Sequence, residues 1–148
     1  QLYDGGTRGA TIVNWPGRLA PAKVGQPMHI VDWMPTLTAL AGYTPERTLK
    51  WDGRNMWSHV SDAKTPSIAR TLYWTTPNAS SVREGDWKLI VPTARPNKAA
   101  TGKLELFNLA KDPHEATDLA AQQPERVAAL KQVLAKLAAA DRDAIAKD

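Results

Sequence analysis

Apolar positions recur at helical spacing in two stretches of this chain and alternate as in strands between them. Trp33, Leu37, Leu40 and Ala41 share one face, which predicts a short amphipathic helix over residues 32–41. Asp32 is placed to accept hydrogen bonds from its first free amides, Pro35 is tolerated in its first turn, and Gly42 can close it in the left-handed conformation. Upstream, Thr11-Ile12-Val13-Asn14-Trp15 reads as a buried strand stopped by Pro16-Gly17, with Gly5 and Gly6 marking a tight backbone path before it. Residues 18–27, with Pro21, Gly25 and Pro27, read as a loop.

Periodicity fades from Thr44 to Pro66, where Lys50 to Trp57 looks like a loop or short helix pinned by Trp51 and Trp57. A boundary belongs here. Beyond it the pattern is strand-like: Thr71–Trp74, Ser80–Arg83, Trp87–Val91 and Leu104–Asn108. Glu84-Gly85-Asp86 forms a hairpin turn between the second and third strands, and Pro92 to Gly102 is a longer polar connection. Sequential strands with short links predict an antiparallel sheet. Asp112-Pro113 starts a turn, and Pro124 suits the first turn of a final helix. In that helix Val127, Leu130, Leu134 and Leu137 make one apolar stripe. Burying those side chains contributes on the order of 6 to 12 kcal/mol gross, before the ordering entropy that offsets most of it. The stripe is too short for a coiled coil and predicts docking on one face of the sheet.

Composition narrows this picture only a little. The chain has 148 residues, 43% hydrophobic and 23% charged, enough for a core. Its net charge of +4 is spread among acids without a run of like charge, which predicts a mixed solvated surface and no nucleic-acid site. The absence of cysteine excludes a disulfide framework, a thiolate metal ligand and a thiol nucleophile within these residues. No apolar run approaches the ~20 residues that span a bilayer, and the opening residues carry neither a basic nor an apolar leader region, so no membrane association is expected.

Candidate chemistry is sparse. His29, His59 and His114 lie far apart and in no metal-ligand spacing; His29 reads as a packed or capping residue, the other two as surface positions. Gly5-Gly6-Thr7-Arg8-Gly9 offers amides and an arginine to an oxyanion, but without the spacing of a phosphate loop. The six tryptophans raise the question of a sugar-stacking platform; most alternate with apolar neighbours and read as core, with Trp51 and Trp57 undecided. Asp112 and Glu115 read as an acidic turn capping its own backbone.

Five segments, in order, resemble the sulfatase family. Leu2-Tyr3-Asp4-Gly5-Gly6-Thr7-Arg8 is similar to the segment that sulfatases carry just after their active-site lysine. Val31-Asp32-Trp33-Met34-Pro35-Thr36-Leu37 resembles a helix start of that family, and Leu49-Lys50-Trp51-Asp52-Gly53 a following Asp-Gly segment. Arg83-Glu84-Gly85-Asp86-Trp87-Lys88-Leu89 resembles its small-domain hairpin, and Leu106-Phe107-Asn108-Leu109 with Asp112-Pro113-His114-Glu115 the segment after it. Arg8-Gly9 and His29 to Trp33 are most similar to the N-acetylgalactosamine-4-sulfatase (arylsulfatase B) branch.

The resemblance implies an α+β arrangement: residues 1–45 as the terminal strand and helix of an alkaline-phosphatase-like α/β large domain, and residues 46–148 as a small domain with a four-stranded antiparallel sheet and a packed C-terminal helix. It implies a C-terminal portion of a sulfate-ester hydrolase acting on an aryl sulfate or sulfated sugar, with a formylglycine nucleophile and a calcium ion supplied by the remainder of the catalytic domain. No Ser here has Pro two places on and Arg four places on, so no formylglycine precursor is present and no catalytic or metal-ligating residue is expected. Tyr3 is implied as part of the pocket wall, and Asp4 and Arg8 as residues structuring the loop after the lysine. A stand-alone polyanion- or carbohydrate-binding module, and a portion of a related phosphatase or phosphonate hydrolase, stay open as alternatives. Residues 1–45, separated from the sheet they resemble, are expected to expose apolar surface that could dimerise.

Overall fold

The computed structural model describes residues 2–47, 49–94 and 99–141. The chain divides into two compact units, one made of Gln1–Ala10 with Ala69–Asp148, the other of Thr11–Ile68. Residues 2–10 thus join the sheet unit, and residues 11–68 form the other. The α+β class and the four-stranded antiparallel sheet are as the sequence predicts.

That sheet is a meander in the order β1 (Thr71–Thr75), β2 (Ala79–Glu84), β3 (Trp87–Pro92) and β4 (Glu105–Asn108). The β2–β3 hairpin pairs Glu84 with Trp87 across Gly85-Asp86, and Gly85 takes φ 58°, the left-handed conformation that glycine adopts without a side-chain clash. The polar connection from Pro92 to Gly102 lies partly outside the described residues.

Strand alternation decides what each face buries. Tyr73, Val82, Leu89 and Leu106 are register neighbours across all four strands. Val82, Leu89 and Leu106 are wholly buried and pack with Leu130 and Leu134 of α4 (Pro124–Ala140), which docks on β2 and β3. Val127 and Leu137 join at the margins, so the predicted stripe is the docking surface. The opposite face carries Trp74, Lys88, Ile90 and Phe107. Leu2, Tyr3 and Leu109 cover it. The sheet is thus dressed on one side by α4 and on the other by the start of the chain.

In the second unit the expected strand over Thr11–Trp15 is absent. Ile12 is 91% exposed, and the segment is unpaired backbone ending in a turn in which Arg18 and Leu19 N–H donate to the Trp15 carbonyl. β-branched residues favour a strand only where a neighbouring strand completes the ladder, and among the described residues none does. The predicted helix appears as a 3-10 turn, Ile30–Asp32, leading into α2 (Trp33–Leu40), closed by Gly42 at φ 73°. Asp32 does not cap α2. Its carboxylate turns back to accept from the His29 amide at 2.6 Å and reaches forward to the Arg54 amide at 2.9 Å. Thr36 Oγ1 accepts from the Met56 amide at 2.9 Å, so α2 and the segment before α3 (Trp57–Ser61) are stitched together. A Cβ on Gly53 would lie 2.1 Å from the Val31 carbonyl oxygen, so only glycine lets these backbones meet. His59, expected on the surface, is buried, and its Nε2–H donates to the Pro66 carbonyl at 3.1 Å, which offsets the cost of burying the ring.

Candidate functional site

The residues singled out near the start of the chain fold into α1 (Asp4–Thr7), a single turn whose Gly6 and Thr7 amides donate to the Tyr3 carbonyl. Two adjacent glycines and one turn of helix hold little shape by themselves. A Cβ on Gly5 would meet nothing within 4 Å, so glycine there reflects no close approach, contrary to the tight path expected.

What shapes this turn is a lysine. Lys88, on central β3, is wholly buried on the sheet face that the chain start covers. Its ammonium donates to Asp4 Oδ1 at 2.7 Å and lies 2.9 Å from Glu115 Oε1. The first is an aligned hydrogen bond; the second is a charge contact without hydrogen-bond geometry. The Asp4 amide donates to the other Glu115 oxygen at 2.5 Å, and the Lys88 ammonium sits 5.8 Å from the Trp74 ring. Arg8, whose side chain is largely exposed, approaches Asp4 Oδ2 at 3.6 Å. One cation is thus shared by two buried carboxylates, with a second cation at the rim.

Glu115 reaches Lys88 because its backbone takes φ 54°, uncommon for a residue with a side chain. Asp112, in the same turn, accepts from the Thr117 amide at 2.8 Å, and that bond holds its carboxyl below the usual carboxylate range. The acidic turn caps its own backbone at Asp112; Glu115 departs from that expectation because its carboxylate turns inward to the buried Lys88 ammonium and the Asp4 amide. Lys88 and Glu115 were not legible as site residues in the sequence. The available signal was a lysine between Trp87 and Leu89 in a strand covered on both faces.

Tyr3 donates its hydroxyl to Glu105 at 2.5 Å and packs edge-on against Phe107 with ring centroids 6.1 Å apart. The Glu105 hydrogen bond, with partial burial and the Glu105 charge, pushes the phenol up to about 12. At the same end Lys103 pairs with Asp118 at 2.5 Å. Burial opposes ionisation of Asp118, but the Lys103 bond and the amides of Ala120 and Leu106 outweigh it and hold the carboxyl low.

These residues do not supply a metal site. Asp4 and Glu115 are committed to Lys88, and among the described residues no three His, Asp or Glu side chains come together to hold an ion. Among the described residues no helix is long and apolar enough to cross a membrane.

No protein-family model matches the chain. It is 27% identical over 136 residues to a sulfatase of Formosa agariphila, covering 84% of this chain and 25% of that protein. To the N-acetylgalactosamine-6-O-sulfatase of Bacteroides thetaiotaomicron it is 26% identical over 140 residues, covering 89% and 27%. To human arylsulfatase A it is 31% identical over an alignment of 155 positions, covering 88% and 30%. The chain spans about a quarter of the length of the curated relatives it matches. Among solved structures, a sulfatase studied for glycosaminoglycan metabolism by Bacteroides thetaiotaomicron superposes with a TM-score of 0.67 at 25% identity, over 83% of this chain and 27% of the other. A Bacteroides fragilis sulfatase superposes with a TM-score of 0.57 at 22% identity, over 81% and 27%.

Proposed function

We propose that this chain, which belongs to the sulfatase family, is the part of a sulfate-ester hydrolase that closes one side of the active-site cleft, while the nucleophile, the metal and the sulfate-binding lysine come from the rest of the enzyme. One observation carries this reading. Three of the five segments that resemble the family, those holding Asp4, Lys88 and Glu115, converge on a single buried ammonium. Segments far apart in sequence that meet at one charge form a unit, and that unit begins at the segment which, in the family, follows the active-site lysine.

The surface supports a missing partner. Ile12, Val13, Trp15, Ile30, Met34 and Leu37 are all exposed, and every exposed large hydrophobic among the described residues lies in Thr11–Ile68. Apolar side chains exposed together in one unit support an interface there. The occupant proposed is the remainder of the catalytic domain, and the substrate of the assembled enzyme is an aryl sulfate or a sulfated sugar.

Mixing the purified chain with the separately produced remainder of the enzyme tests this. Stable association, with aryl sulfate turnover in the mixture and in neither part, is expected. Self-association of the chain with no affinity for the remainder would overturn the reading. Salt-dependent capture of heparin by the chain alone would favour a polyanion-binding module instead.

A further inference from the structure

The turn at Asp4–Thr7 has few internal restraints, yet Asp4 is gripped twice: its carboxylate by Lys88 and its amide by Glu115. A residue held through both side chain and backbone has its position and its direction fixed. We propose that Lys88 and Glu115 form a positioning clasp whose task is to set the pose of residues 3–8, and hence of Tyr3. For what that pose serves, the wall of the cleft, this rests on the function proposed above; the clasp itself does not.

Three features separate the clasp from an ordinary core contact. An apolar side chain at position 88 would fill a covered sheet face at lower desolvation cost, so a lysine there is better accounted for by a need for direction than for burial. Glu115 holds a left-handed backbone conformation, which persists only where surroundings over-determine it, and that conformation aims its two oxygens at Lys88 and at the Asp4 amide. Leu2 and Tyr3, on the same segment, rest on Ile90, Phe107 and Glu105, so those contacts and the grip on Asp4 fix the pose of the tyrosine together.

The test is amide hydrogen exchange of the 148-residue chain carrying Asp4→Asn, Asp4→Glu or Glu115→Gln. Asp4→Asn removes the charge at constant size and should speed exchange at Gly6, Thr7 and Arg8 by about tenfold or more, with Val82 and Leu89 amides unchanged. Glu115→Gln should give the same local pattern. Asp4→Glu keeps the charge and should restore protection to within about threefold of the original. Unchanged exchange at residues 6–8 would overturn the clasp. So would uniform acceleration through β2 and β3, or failure of Asp4→Asn to fold, since the charge would then serve the sheet as a whole. Sulfatase turnover plays no part in this readout, so a failed clasp and a failed functional reading are told apart.

Discussion

The Lys88 ammonium lies 2.7 Å from Asp4 Oδ1, joining central strand β3 to a residue 84 positions earlier in the chain. That contact sits on a wholly buried lysine and a carboxylate that is itself nearly buried. Breaking such a pair is costly because the remaining charge keeps its desolvation penalty. Lys88→Met strands both the Asp4 and the Glu115 carboxylates and is therefore expected to destabilise the sheet unit by about 3–5 kcal/mol, whereas Asp4→Asn leaves Lys88 paired with Glu115 and acts on the turn alone. Urea unfolding measures this, and a loss below about 1 kcal/mol would show the pair to be energetically idle.

Gly53 and Gly5 make a matched pair of alanine substitutions. At Gly53 the new Cβ meets the Val31 carbonyl at 2.1 Å, so Gly53→Ala must push two backbones apart, at about 1–3 kcal/mol or more. At Gly5 the Cβ enters open space in a helical turn, and Gly5→Ala should be neutral or stabilising by up to about 1 kcal/mol. Thermal unfolding of both variants checks the contrast; equal effects would contradict the close approach at Gly53.

The pH dependence at Tyr3 has a definite sign. Its phenol is raised from 10.0 to about 12 in the folded chain, chiefly by donating to Glu105. A group with a raised folded value stabilises the fold fully below its unfolded value. That contribution is lost as pH rises from near 10 through about 12, when a phenolate would face the Glu105 carboxylate. Tyrosinate absorbance should show one late step that Tyr3→Phe removes; an unchanged titration curve would disprove the assignment.

Leucines on α4 and α2 should part company. Leu130→Ala, at a site 1% exposed against Val82, Leu89 and Leu106, is expected to cost about 2–5 kcal/mol. Leu37→Ala, at a site 54% exposed, should change the stability of the isolated chain by no more than about 0.5 kcal/mol. If the remainder of the enzyme covers that surface, Leu37→Ala weakens the association and leaves the isolated chain unaffected.

The sheet was legible in the sequence because its strands alternate and the β2–β3 turn carries Gly85 where a left-handed residue is needed. Val82, Leu89 and Leu106 fall in register as period two requires, and the α4 stripe faces them. Thr11–Trp15 misled because strand composition reports how well a residue fits a pleated, half-buried surface, and here nothing provides that surface. Asp32 looked like a cap because Asp often caps; its carboxylate is instead committed to the amides of His29 and Arg54, the latter 22 positions away, and no local pattern encodes such a partner. The same holds for the candidate site. Asp4 was visible as a loop-structuring residue, but its partners Lys88 and Glu115 are brought to it by sheet register and a left-handed backbone residue, both of them tertiary facts.

The division of labour proposed above gives these 148 residues the shaping of a sulfate-ester cleft and the rest of the enzyme the chemistry. Incubating the purified chain alone with an aryl sulfate, in the presence of calcium, tests it most directly. No turnover above the buffer rate is predicted. Turnover that copurifies with the chain through successive columns would contradict the account.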